Sequence, residues 1–273
     1  ILGWLGDRKK SYECFERALK IALDNGYMET AVWAYDDLAV FHLRAEDNER
    51  RLEYLEKGFE IAKKVGTIDW ISLIGLHLAS MYVGMGKIND AVLLAEESVA
   101  LNRKTNNMIQ LSWSLGHLGS HYQILGEWCK SEQLYKEALS ISQRLDDFQS
   151  TAVSYWRLGW FDFDKGEYAK AKEFFEKAIE IVERHGAKYS EIWGSQYSAW
   201  TYIELGEIEK AKNLIDKLHN FALESDDKGL IANADALRAM LFRAQKKWKE
   251  SMEHFEKSLR EHEALDARRW NVY

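Results

Sequence analysis

A period of 40 residues runs through this chain without an insertion, and few architectures satisfy that constraint. The stretch from Gly126 to Leu139 lies position for position over the stretch from Gly166 to Ile179. Stepping by the same interval, the small residue Ala138 recurs as Ala18, Gly58, Ser98, Ala178 and Ser258, with Leu218 as the exception. The aromatic Tyr135 recurs as Phe15, Leu55, Ala95, Phe175, Ile215 and Phe255. Gly126 is matched by Gly6, Gly86, Gly166 and Gly206, with Glu46 and Lys246 as departures.

Each unit divides into two helical patterns. In one unit Tyr155, Leu158 and Gly159, flanked by Phe161 and Phe163, approximate the i, i+3, i+4, i+7 spacing of an amphipathic helix. Tyr168, Ala171, Phe175, Ala178, Ile179 and Val182 repeat it in the second half. The pattern predicts antiparallel pairs at 29–45 with 48–65, 69–85 with 88–105, 109–125 with 128–145, 149–165 with 168–185, 189–205 with 208–225, and 229–245 with 248–265. Between pairs, one position reads Gly26, Gly66, Asn106, Asp146, Gly186, Asp226 and Asp266. These residue types best tolerate the left-handed conformation that closes many helices. Turns of that kind need no proline, and the chain has 0, where average usage of about 5% would give roughly a dozen.

The pattern resembles the tetratricopeptide repeat (TPR) family over essentially the whole chain. The resemblance rests on the Leu-Gly or Leu-Ala pair of the first helix (Leu38-Ala39, Leu78-Ala79, Leu118-Gly119, Leu158-Gly159) and the aromatic that follows it (Tyr82, Tyr122, Tyr202, Phe242). It rests equally on the Gly-x-aromatic string that opens the second helix at Gly126-Glu-Trp128 and Gly166-Glu-Tyr168. Asp162 and His42 at the aromatic position, Arg51 at a small position, and Ser198 and Arg238 at the leucine position depart from it. The family implies an all-α, right-handed α-solenoid spanning 1–273, with repeats at 29–68, 69–108, 109–148, 149–188, 189–228 and 229–267. Partial units at 1–28 and 268–273 lack polar caps, so the expectation is a piece of a longer array or of a multidomain protein. Units of 40 residues are similar to the sensor arms of multidomain signalling ATPases of the STAND type and of related regulators.

In this family the first helices line a concave groove, and four columns of the first helix face it. The resemblance thereby implies a binding face made of Trp33, Leu73, Leu76, Trp113, Ser120, Gln123, Trp156, Arg157, Trp160, Phe163, Trp193, Gln196 and Trp200. Tryptophans are apt anchors because they bury large area with few rotors. The competing reading of each is a wedge between neighbouring repeats. The family's carboxylate clamp is not expected, since its columns carry Asp36, Val40, Leu76, Ser80, Trp156 and Trp160 and no lysine.

Composition narrows the function classes. With 37 basic against 44 acidic residues the net charge is −7, which argues against a nucleic-acid partner. Two cysteines, Cys14 and Cys129, are too few for a disulfide scaffold and are expected as free thiols filling space in a cytoplasmic protein. The stretches Trp70 to Gly86 and Thr105 to Gly126 lack charge, but Ser112, Ser114, His117, Ser120, His121 and Gln123 interrupt the longer one, so no membrane span is expected. His117 and His121 stand four apart without the acidic partner of a zinc motif, and no phosphate loop or nucleophile elbow occurs. His254 and His262 read as surface residues. The expected function is a non-catalytic protein- or peptide-binding scaffold without a cofactor, serving as a sensor or regulatory arm. The alternatives are a structural spacer or self-association arm, and a sensor that binds a small-molecule inducer among the same tryptophans.

Overall fold

The computed structural model describes residues 8–45, 48–186, 188–225 and 227–264, and every regular element among them is an α-helix. The order is α1 (Arg8–Asp24), α2 (Met28–Ala45), α3 (Asn48–Val65), α4 (Ile68–Gly84), α5 (Ile88–Thr105), α6 (Met108–Ile124), α7 (Trp128–Arg144), α8 (Phe148–Asp164), α9 (Tyr168–Arg184), α10 (Lys188–Glu204), α11 (Ile208–Glu224), α12 (Lys228–Ala244) and α13 (Trp248–Ala264). From α2 onward, each helix starts and stops within one residue of the span predicted from the repeat. Contacts divide the chain into two compact units, Ile1–Ala138 and Leu139–Tyr273.

The turns explain the absent proline. At the turn from α5 to α6, Asn106 takes φ 56°, and the next amide, that of Asn107, reaches back to the carbonyl of Asn102 at 3.0 Å. The Asn107 side chain then accepts from the Gln110 amide at 3.3 Å and caps α6. Asp146 (φ 53°) and Asp147 do the same before α8. Proline, lacking an N–H, would leave those carbonyls unpaired. Gly26, Gly66, Asn106, Asp146 and Gly186 all adopt the left-handed conformation expected of them, while Asp226 and Asp266 lie outside the described residues.

Inside four of the pairs the turn is also left-handed, at Gly86, Gly126, Gly166 and Gly206. In the last pair that position is Lys246, at φ 60°. A side chain there costs about 1–2 kcal/mol, more than the roughly 0.4–1 kcal/mol of chain entropy that glycine adds to the unfolded state. Lys246→Gly is therefore expected to stabilise the protein by about 1 kcal/mol, read as a higher urea midpoint. Lys247→Gly, at a position without positive φ, should lower it.

In the first unit Val32, Ala39, Leu55, Ala62, Ile74, Leu78 and Met81 form one buried cluster. In the second, Ala199, Ile203, Leu214, Ile215, Leu218, Leu237 and Leu241 do so. Close packing also carries polar bridges. Asn102, fully buried, donates to Ser72 Oγ at 2.6 Å and Ser114 Oγ at 2.7 Å, which ties α5 to the first helices on both sides. On the second helices, i, i+4 pairs such as Lys64–Glu60 are exposed and screened by solvent, so they add little. Others cross between repeats: Arg103 with Glu137, Lys172 with Glu207, and Tyr202 OH donating to Glu176. The Tyr122 hydroxyl donates to Glu96 one pair earlier, and that bond pushes its pKa up to about 12.

Candidate functional site

Within each unit the first helices touch one another, α2 against α4 and α4 against α6, and α8 against α10 and α10 against α12. Second helices approach each other far less. Each unit therefore packs its first helices side by side, and the residues of interest lie on those helices.

In the first unit Trp33 is 49% exposed, and Leu73, Trp113 and Ser120 are half-buried. The Ser120 hydroxyl is spent on the His117 carbonyl at 2.7 Å. Leu76 and Gln123 are buried, and Gln123 Oε1 accepts from the buried Tyr135 hydroxyl at 2.9 Å. These two are core residues and are not open to a ligand. Beside the tryptophan row runs a polar pair that the sequence reading left unassigned: His77 Nδ1 lies 2.6 Å from Asp36 Oδ1. Burial, with the neighbouring Asp36 charge, raises the pKa of Asp37.

In the second unit the structure brings Trp156, Trp160, Phe163 and Trp200 together. Trp160 stacks on Tyr197 with ring centroids 5.1 Å apart. Phe163, itself buried, meets Trp200 edge to face at 4.9 Å and Tyr168 at 5.2 Å. Trp156 is half-buried against α10, where its Nε1 sits 1.9 Å from the place a Cβ on Gly194 would take. Its indole thus wedges between first helices, the competing reading of a groove tryptophan. Arg157 and Gln196 are half-buried, and the side chain of Trp193 lies outside the described residues. Tyr197 and Tyr168 complete the aromatic cluster and were missed. Tyr197 stands one period after Arg157, so the column that contains Arg157 could have revealed it.

Other candidates resolve differently. The His117 and His121 rings are 6.5 Å apart, and no group of three His, Cys, Asp or Glu side chains among the described residues is placed to hold a metal. Cys14 and Cys129 are free but exposed, so they fill no space in the core. His254 is no bland surface residue: its Nδ1 bonds the fully buried Asp235 at 2.8 Å. Among the described residues no helix is long and apolar enough to cross a membrane.

A forty-residue repeat of paired helices with a Leu-Gly step packed on an aromatic matches the MalT-like TPR region, whose family model covers residues 74–267. The chain belongs to the MalT-like TPR family. No curated protein matches it in sequence. Among solved structures, this TPR chain is similar to a Rap protein complexed with competence and sporulation factor, with a TM-score of 0.68 at 12% identity over 87% of this chain and 76% of that one. It is similar to the apo form of RapI, with a TM-score of 0.66 at 15% identity over 94% and 99%. It also resembles a signal transduction ATPase with numerous domains and a tetratricopeptide repeat sensor from Pyrococcus horikoshii, with a TM-score of 0.61 at 19% identity. There the TPR chain is covered over 95% of its length and spans 43% of the larger protein. At these identities the likeness establishes a helical-repeat solenoid of the TPR kind, a fold that fits a protein-interaction or regulatory scaffold.

Proposed function

We propose that this TPR chain is a non-catalytic scaffold that receives a peptide segment of a partner protein on its inner aromatic faces, as the regulatory or sensor arm of a larger signalling protein. One observation carries the reading: Trp160, Tyr197 and Trp200 cluster on the first helices of the second unit while each stays only partly buried. Aromatic surface held rigid and left half-open is the composition of a binding hot spot. The similarity to a Rap protein that binds a peptide factor, and to a TPR sensor, supports the same reading. In the first unit the contact residues are Trp33, Leu73 and Trp113, with Leu76 and Gln123 in the core behind them; in the second they are Trp160, Gln196 and Trp200, with Phe163 buried behind them and Trp156 wedged beside Gly194.

Synthetic amphipathic peptides with an apolar stripe are expected to quench the tryptophan fluorescence saturably. The Trp160→Ala, Trp200→Ala double variant should weaken that binding by about tenfold or more, roughly 1.4 kcal/mol. Unchanged affinity in the double variant would remove these rings from the site. A particle whose size grows with concentration and that takes up no peptide would instead make the chain a self-association arm. Quenching by a metabolite, lost in Trp156→Ala, would make it an inducer sensor.

A further inference from the structure

We propose that the aromatic cluster of the second unit reads a basic side chain of its guest, an arginine or lysine laid against Trp160 and Trp200 with its charge on Glu204. This deepens the reading above and rests on it. The Trp200 indole donates to Glu204 Oε1 at 3.0 Å, which holds an exposed carboxylate beside the ring. Cations favour the face of an indole over other rings, and a carboxylate at the rim adds a charged partner for the same group.

The surroundings leave that carboxylate without a cation. Lys165, next to α8, pairs with Glu167 at 3.0 Å. Lys172 and Lys210 both pair with Glu207, at 2.5 and 2.9 Å. No ion pair of Glu204 occurs among the described residues. Arg157 stands seven residues before the end of α8, about 10 Å along the helix axis, and is engaged within the protein. Glu204 is also the last residue of α10, as Asp164 is of α8, and neither helix has a basic residue in its last turn. A helix C-terminus already carries partial negative charge, so an acid there is unfavourable until a cation arrives.

The test uses two synthetic peptides of equal length and apolar content, one bearing arginines and the other glutamines at the same positions, titrated by tryptophan fluorescence. The arginine peptide is expected to bind about tenfold more tightly, with the advantage shrinking in high salt. Glu204→Gln should cut that advantage to about threefold or less, the part the indole faces supply, and leave the glutamine peptide unchanged. The residue is exposed, so the variant keeps the fold, which its circular dichroism melt verifies. Equal binding of both peptides, or an arginine advantage that Glu204→Gln leaves undiminished, overturns the basic anchor while the aromatic face stands. Binding of neither peptide overturns both.

Discussion

Gly159→Ala is expected to destabilise the protein by about 2 kcal/mol, although alanine is the better helix former by about 1 kcal/mol. The added Cβ would lie 2.6 and 2.8 Å from ring atoms of Phe175. That ring is 2% exposed and cannot withdraw, because Phe163, Ala171, Trp156, Tyr168, Tyr197 and Trp200 enclose its cluster. The chain contains its own control. Where the first-helix position is Gly, at Gly119 and Gly159, the facing residue one helix later is the aromatic Tyr135 or Phe175. Where it is Ala, at Ala39, Ala79 and Ala199, the residue at the same offset is Leu55, Ala95 or Ile215. Ala239 breaks the rule with Phe255, and that ring is 37% exposed. The pairing therefore works as a unit, and the double variant Gly159→Ala, Phe175→Ile copies Ala199 with Ile215. It should cost less than Phe175→Ile and Gly159→Ala added together, by about 1 kcal/mol or more in a denaturation cycle. Additive losses would mean that the two positions do not share space.

That pairing was legible in outline, because a period sets helix spans and turns through local rules, and those rules hold from α2 to α13. A left-handed turn can be recognised from one residue type at one place. The candidate site was less legible, for a physical reason. Column positions tell which side of a helix a residue occupies, and whether a neighbour's ring covers it depends on packing between helices. Leu76 and Trp156 share a column, yet one is 2% exposed and the other is wedged half-open over Gly194. Gln123 reads as a polar contact and is in fact the buried acceptor of Tyr135. Charged residues were hardest to place, since their burial depends on partners from other helices. Arg51 is 6% exposed and Asp162 8%, although each falls at a position where the family carries an uncharged residue.

The polar cluster around Asp235 is expected to hold α12 and α13 together, and removing its partners should cost about 3–5 kcal/mol. Asp235 is 0% exposed. His254 Nδ1 bonds its Oδ1 at 2.8 Å, and Lys257 Nζ lies 2.8 Å from Oδ2 as an ion pair. The double variant His254→Leu, Lys257→Met leaves a buried carboxylate without a counter-charge, the situation that makes half of a buried pair so unfavourable. Adding Asp235→Ser should then restore stability to within about 1 kcal/mol of the parent, since the charge itself is gone. Ser195 and Leu214 occupy the same two positions one repeat earlier and are buried there, so the packing tolerates that chemistry. No loss in the double variant, or no recovery in the triple, would contradict this account. Acid should act on α11 and α13. Burial lowers the pKa of His219, with Arg238 and Lys257 adding to it and Asp235 and Asp216 opposing, and burial lowers that of His262. Both histidines stay neutral in the fold while the unfolded chain takes up protons below about pH 6.5. Their contribution is therefore complete above that value and is lost as pH falls toward the lowered values. Glu261, whose pKa burial raises, works in the opposite sense at lower pH. Stability should fall between about pH 7.5 and 5.5, and His219→Leu with His262→Ala, which copy Leu139 and Ala222, should flatten that slope.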